Sequence, residues 1–170
     1  MKVILYMAIT ANGMIGKPDG NSDFTSEADG ESFNAICQKI GTIISGRKTY
    51  EVLYPKYMPL KRGTHWVLTH NLAQKSENST VKFTNLDPEQ LLEKLTKDGH
   101  KEICIIGGSE IASQFMQKNL IDEIFLDVEP LLFGQGMPLF KPADFEAKLE
   151  LLDVNHLSPQ TIQLHYRVKK

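Results

Sequence analysis

"CIIGGSEIASQF" (104–115) joins an oily run to two glycines and a serine just where helical spacing begins. Isoleucines at 103, 105 and 106 read as a buried strand, whereas Ile111, Phe115 and Met116 recur at helical intervals. Glycine serves where backbone turns sharply or closely approaches another group. A glycine turn from strand into helix also leaves bare N–H groups at the positive end of the helix dipole, which suits a phosphate. Two more strand-to-helix junctions lie upstream, "AITANGMIG" (8–16) and "ISGRKTYE" (44–51). In open α/β sheets ligands bind beyond the carboxyl ends of the strands, so all three junctions belong to one candidate binding edge.

The rest of the chain supplies the elements around that edge. "KVILYMAI" (2–9) reads as a strand entering the turn-rich stretch 10–23. A helix is expected over 26–39, with Ser26 as N-cap and Phe33, Ile36 and Cys37 on one face. "TIIS" (42–45) is a short buried strand, followed by a short helix in "GRKTYEVL" (46–53). "HWVLTH" (65–70) and "TVKF" (80–83) are further strands. "DPEQLLEKL" (87–95) has Asp87 at the N-cap, Pro88 at N1 and Gln90 at N3, a well-marked helix start. "IDEIFLDVEPLLF" (121–133) reads as strand, and "TIQLHYRV" (161–168) alternates strictly, as an antiparallel strand does. Strands alternating with helices and closed by a terminal hairpin define an α/β fold with a mixed sheet.

Composition narrows the function classes. A chain of 170 residues with 41% hydrophobic and 24% charged content suits one soluble domain with a sizeable core. A net charge of −2 gives no electrostatic case for nucleic acid or an anionic membrane. Cys37 and Cys104 sit in apolar settings, so buried free thiols are expected rather than a disulfide. The apolar run 3–9 is too short for a signal sequence or a membrane span, and a cytoplasmic location follows as the expectation. The histidines and cysteines show no metal-ligand spacing, so no metal site is expected.

The turn at "GGSEI" has neither the G-x-G-x-x-G spacing nor the P-loop lysine, and Ile111 stands where a hydrolase elbow needs glycine. Alone it serves equally as a packing turn or a phosphate cradle. Arg47 and Lys48, directly after Gly46, add weight to the cradle, because cations at a helix start are unfavourable unless an anion sits between them. Thr69 and His70, ending the next strand, bring a hydroxyl and an imidazole to the same edge. Two glycine turns and a basic pair fit a dinucleotide better than one phosphate. The plainer reading is a pair of solvated surface charges.

In these motifs the sequence resembles the dihydrofolate reductase superfamily, including the reductase domain of the bacterial bifunctional riboflavin deaminase–reductase. "GRKTYE" is similar to that family's G-R-x-T-[WY]-E helix start, and "IIGGSEIASQF" to its second cofactor turn. "AITANGMIG" matches the first-strand motif ending in G-x-I-G, while "LIDEIFLDVEPLLFGQGMPLF" is closer to the riboflavin-type branch. The motifs stand in the family's order and span nearly the whole chain. The resemblance implies a single dihydrofolate-reductase-like α/β domain over residues 1–170, in three layers, with helices on both faces of a mixed central sheet and a C-terminal antiparallel hairpin.

It also implies NADPH as cofactor and hydride transfer to a pterin, a folate or a ribosylaminopyrimidine such as 5-amino-6-(5-phosphoribosylamino)uracil. By position, Ala8 and Ile15 would flank the nicotinamide. Gly46, Arg47, Lys48 and Thr49 would hold the pyrophosphate and the 2′-phosphate side, with Leu68, Thr69 and His70 near the adenosine. Ile106, Gly107, Gly108, Ser109, Glu110 and Ile111 would form the second phosphate turn. Phe24, Phe33 and Tyr50 fall at substrate-facing positions, and Asp29 at the buried acid that handles the proton. A carboxyl in such a cleft has its pKa raised by desolvation. The competing reading makes Asp29 the N3 residue of a Ser26 capping box, within a cofactor-binding module of little or no catalytic activity.

Substrate identity is less well marked. The folate enzymes' tail-binding arginine is displaced here to Arg62, with Gly63 at the matching place, and the stretch 23–33 has no arginine for a ribosyl phosphate. Riboflavin-type reductases form dimers, and "LLFGQGMPLF" (131–140) sets large apolar groups beside flexible glycines, so a homodimer is expected.

Overall fold

The computed structural model describes residues 1–54, 60, 62–74 and 76–170. In chain order the elements are β1 (Lys2–Thr10), β2 (Met14–Gly16), α1 (Glu27–Ile40), β3 (Thr42–Gly46), α2 (Arg47–Leu53), β4 (Thr64–Leu68), β5 (Val81–Thr84), α3 (Pro88–Lys97), β6 (Glu102–Ile105), α4 (Ser109–Gln117), β7 (Glu123–Glu129), β8 (Met137–Pro138), β9 (Lys148–His156) and β10 (Ile162–Lys169). Among the described residues, eight strands form one sheet in the order β5-β4-β3-β6-β1-β7-β10-β9. Pairing is parallel from β5 through β7, whereas β10 runs antiparallel to both β7 and β9. The mixed sheet and its C-terminal hairpin are therefore present.

Side chains alternate across the sheet, and each face has its own core. Val3, Leu5, Ile44, Trp66, Ile103 and Ile105 pack with Leu91 and Leu95 of α3 and with Ile111, Ala112, Phe115 and Met116 of α4. On the opposite face, Ile4, Tyr6, Ile43, Cys104 and Ile106 pack with Cys37, Phe33 and Ile36 of α1. A smaller group there joins Tyr50 of α2 to Val67 and Val81. This is a three-layer α/β arrangement. Cys37 and Cys104 are free and buried; the neighbouring Cys37 thiol and burial push the Cys104 thiol well above its ordinary pKa.

Three stretches differ from the sequence expectation. The stretch 8–16, expected to lead from strand into helix, instead runs from β1 into the short strand β2, and α1 begins only at Glu27. The strand expected over 121–133 is only Glu123–Glu129. Asp122 instead ties its backbone N–H to the Val3 carbonyl at 2.9 Å and its carboxylate to the Val3 N–H at 2.8 Å. Pro130 ends the strand, having no N–H for the ladder. The strand expected over 65–70 stops at Leu68, where the chain turns through Thr69 and His70. Among the described residues no helix is long and apolar enough to cross a membrane.

Candidate functional site

Strand order brings two of the glycine turns together. β3 and β6 are neighbours in the sheet, and the Gly46 N–H donates to the Gly107 carbonyl at 2.9 Å. α2 and α4 begin at Gly46 and Gly108 with no side chain capping either start. By contrast, Ser26 caps α1 and Asp87 closes a full capping box on α3. The first N–H groups of α2 and α4 thus lie beside each other without the usual side-chain acceptors, as a diphosphate seat requires.

Local geometry explains the paired glycines. Gly107 has φ +109°, a region disfavoured for other residues, and a Cβ there would stand 3.1 Å from Met7 Cε and Sδ. Gly108 has an ordinary φ of −84°, and a Cβ there would meet Thr49 Oγ1 at 3.3 Å. The peptide between them is cis. Thr49 of the first turn therefore reaches the second, while Ile111 of α4 lies 3.2 Å from where a Gly46 Cβ would be. Ser109 donates its hydroxyl to the Pro138 carbonyl, which fastens the start of α4 to β8.

The basic pair divides. Arg47 donates to both carboxylate oxygens of Glu51, at 2.6 and 2.8 Å, so its own helix supplies an anion one turn away. Lys48 and His70 lie near Glu110, whose carboxyl is held below its ordinary range chiefly by Lys141, with His70 and Lys48 adding to the effect. Thr69 donates its N–H to the Thr84 carbonyl at 2.9 Å and accepts from the Asn71 N–H at 3.1 Å. Leu68, Ile106 and Ile15 are core residues, whereas Ala8 is partly exposed on β1.

Asp29 belongs to a second group. Its N–H donates to Ser26 Oγ at 3.2 Å, one half of the capping box. The other half does not form, because the Ser26 N–H donates to Glu129 Oε1 at 2.8 Å. The Asp29 carboxyl turns inward instead, 3.2 Å from the Tyr6 hydroxyl. That hydroxyl also contacts Asp127 Oδ2, and Gln163 Nε2 donates to Asp127 Oδ1 at 2.7 Å. Thr161 donates to Glu129 Oε2 at 3.1 Å. Asp29 is 6% exposed and Asp127 0%, so both carboxyls lie in a poorly solvated place. Desolvation, followed by the nearby Asp127 charge, pushes the Asp29 carboxyl up to about 7. Burial, with the two aspartates beside it, raises the Tyr6 phenol. Burial likewise raises Asp127, against the pull of its donors Tyr6 and Gln163. Among the described residues no three acidic, histidine or cysteine side chains converge as metal ligands.

The aromatic positions separate. Phe33 has its ring 5.8 Å from that of Tyr6, which ties it to the Asp29 group. Phe24 meets Phe133 edge-on at 5.4 Å. Tyr50 packs on His65 and Phe83, each at 5.5 Å, on the β4–β5 side of the sheet. Arg62 is exposed. Gly63 has φ +114°, and a Cβ there would stand 1.9 Å from the Gly41 carbonyl oxygen, so this backbone admits no arginine.

Tyr6, Asp127, Glu129 and Gln163 escape a reading of the sequence by motif. The usable signal is "FLDVE" (125–129), which puts two acids on one face of a strand. On an edge strand they would face water, but β7 lies between β1 and β10.

The comparisons agree with this fold. Residues 1–163 match the family model described as the RibD C-terminal domain. The chain is 35% identical to the protein YwjB of Bacillus subtilis (strain 168) over 171 residues, covering 97% of each chain. It superposes on RibD of Acinetobacter baumannii with a TM-score of 0.82 at 23% identity, covering 99% of this chain and 58% of that one. A Thermotoga maritima diaminohydroxyphosphoribosylaminopyrimidine deaminase/5-amino-6-(5-phosphoribosylamino)uracil reductase superposes with a TM-score of 0.77 at 15% identity, over 99% of this chain and 56% of that one. The fold, with its paired glycine turns, is the three-layer α/β arrangement shared with those structures. The chain belongs to the RibD C-terminal domain family.

Proposed function

We propose that this protein is an NADPH-dependent reductase of a pterin or ribosylaminopyrimidine compound, with Asp29 handling the proton. The observation that carries the reading is the buried Asp29 carboxyl, pushed up to about 7 and so able to hold or release a proton near neutral pH. The two uncapped helix starts and their interlocking turns fit a dinucleotide. Gly46, Thr49, Gly107, Gly108 and Ser109 would hold the diphosphate, Arg47 and Lys48 the 2′-phosphate, Leu68, Thr69, His70, Ile106, Glu110 and Ile111 the surrounding parts, and Ala8 and Ile15 the nicotinamide side. Bound there, NADPH supplies a hydride. Asp29 would supply the proton that balances it, with Phe33 beside the Asp29 group; a substrate role for Phe24 and Tyr50 would need a ligand that reaches beyond that group.

Membership of the RibD C-terminal domain family and the likeness to a protein described as a 5-amino-6-(5-phosphoribosylamino)uracil reductase support the ribosylaminopyrimidine class. Gly63 counts against a grip on a folate tail at that position. The reading includes a homodimer working in the cytoplasm. Leu149, Leu151 and Val154, each more than two-fifths exposed on the outermost strand β9, give it an apolar surface. NADPH and NADH titrated calorimetrically into the protein test the cofactor, and NADPH absorbance followed with dihydrofolate and with the ribosylaminouracil phosphate tests the substrate. Tighter binding of NADPH than NADH, with oxidation by at least one heterocycle, is expected. Absence of NADPH binding contradicts the proposal.

A further inference from the structure

Two acidic side chains face a single phenol. The Tyr6 hydroxyl carries one hydrogen, yet it stands 3.2 Å from Asp29 Oδ1 and in contact with Asp127 Oδ2. A phenol can donate to one oxygen and accept from another. Both contacts are hydrogen bonds only if one carboxyl keeps its own proton. The donors decide which. Asp127 receives Tyr6 and, at 2.7 Å, Gln163 Nε2. Gln163 Nε2 also reaches Ser32 Oγ at 2.9 Å, so Asp127 is held from β1 and β10, with Ser32 of α1 tied to the same amide. The Asp29 carboxyl has the longer contact to the phenol, while the Ser26 cap engages only its backbone N–H. Donated hydrogen bonds stabilise a carboxylate, and the less supported partner of a close pair takes the proton.

We propose that Asp127 acts as a positioning residue that keeps Asp29 protonated in the resting protein, with the Tyr6 hydroxyl bridging the two carboxyls, so that Asp29 donates to Tyr6 and Tyr6 donates to Asp127. The charged and titratable groups facing this chain are Asp127 and Glu129 from β7, Tyr6 from β1 and Asp29 from α1. Those acids disfavour a second negative charge. The arrangement deepens the reductase reading, on which its catalytic meaning rests: Asp29 enters the reaction as a neutral acid. It therefore suits a heterocycle that must gain a proton at the atom beside the one receiving hydride, and offers no anionic partner to a cationic substrate.

The test is infrared titration of the ligand-free full-length protein, which needs neither cofactor nor substrate. Wild type is expected to show a protonated-carboxyl carbonyl band that titrates at about 7, and Asp29→Asn to abolish it. Asp127→Asn should lower the midpoint by about one pH unit or more, because a like charge is removed. Tyr6→Phe, which keeps the ring packing, should raise it, since the ionised Asp29 carboxyl loses the phenol as a donor. A band that survives in Asp29→Asn, or a midpoint that neither Asp127→Asn nor Tyr6→Phe moves, overturns the proposal. Reduction assays on the same variants separate the two ideas. A band that behaves as expected in a protein that reduces nothing removes the reductase reading and leaves the proton chain standing.

Discussion

At the scale of single residues, Asp29 is a carboxyl held in a poorly solvated place beside Asp127. Its folded-state pKa of about 7 stands above the ordinary 3.8, so the folded protein binds that proton more tightly than the unfolded chain. Stability from this group is full in acid and is lost as pH rises from 3.8 through about 7. Asp29→Asn removes the pH-dependent loss. Urea unfolding at pH 8 should find the variant more stable than wild type by on the order of 3 kcal/mol, with the gap closing toward pH 4. A pH-independent loss of about 1 kcal/mol would mark a simple helix cap instead. Arg47 is a second residue-scale case. Its pairing with Glu51 is exposed and weak, so a phosphate can displace it. Arg47→Ala should weaken NADPH by about tenfold or more, the worth of a charge-assisted phosphate contact, and NADH far less. Equal losses in competition binding would remove the 2′-phosphate role.

At the scale of elements, the two glycines of the β6–α4 turn do different work. Gly107→Ala puts a side chain at φ +109° and against Met7, which costs on the order of 1–3 kcal/mol of stability. Gly108→Ala keeps an ordinary backbone and meets only Thr49 Oγ1 at 3.3 Å. It should melt near wild type yet bind NADPH more weakly, and normal binding in calorimetry would assign the turn to packing alone. This junction was legible because a buried strand, a turn and a helix each follow local rules. The same holds for the α3 start, where Asp87 accepts from the Gln90 N–H at 2.9 Å and Gln90 answers the Asp87 N–H at 3.2 Å. The Ser26 start obeyed local rules only by half. Glu129, 103 residues away, takes the Ser26 N–H and leaves the Asp29 carboxyl to Tyr6 and Asp127. Contacts across such separations, between strands that become neighbours only in the sheet, carry no local period. For that reason the Ser26 cap on Asp29 was readable from the sequence and the contact of its carboxyl with Tyr6 was not.

At the scale of the molecule, the sheet order puts the glycine turns on β3 and β6 and the acid group against β1 and β7, on neighbouring strands. The far edge of the sheet is a different surface. β9 carries Leu149, Leu151 and Val154 outward, and Leu132, 71% exposed, adds an apolar group in the loop after β7. Light scattering is expected to give a dimer mass. Leu151→Glu should shift it toward monomer without loss of NADPH binding, whereas a wild-type monomer at high concentration would refute assembly. The rate of NADPH oxidation in wild type against Asp29→Asn tests the proposed function most directly. With a heterocycle that wild type reduces, the variant should turn over about 10²–10⁴-fold more slowly at near-normal NADPH affinity. An Asp29→Asn protein that reduces at the wild-type rate would contradict it.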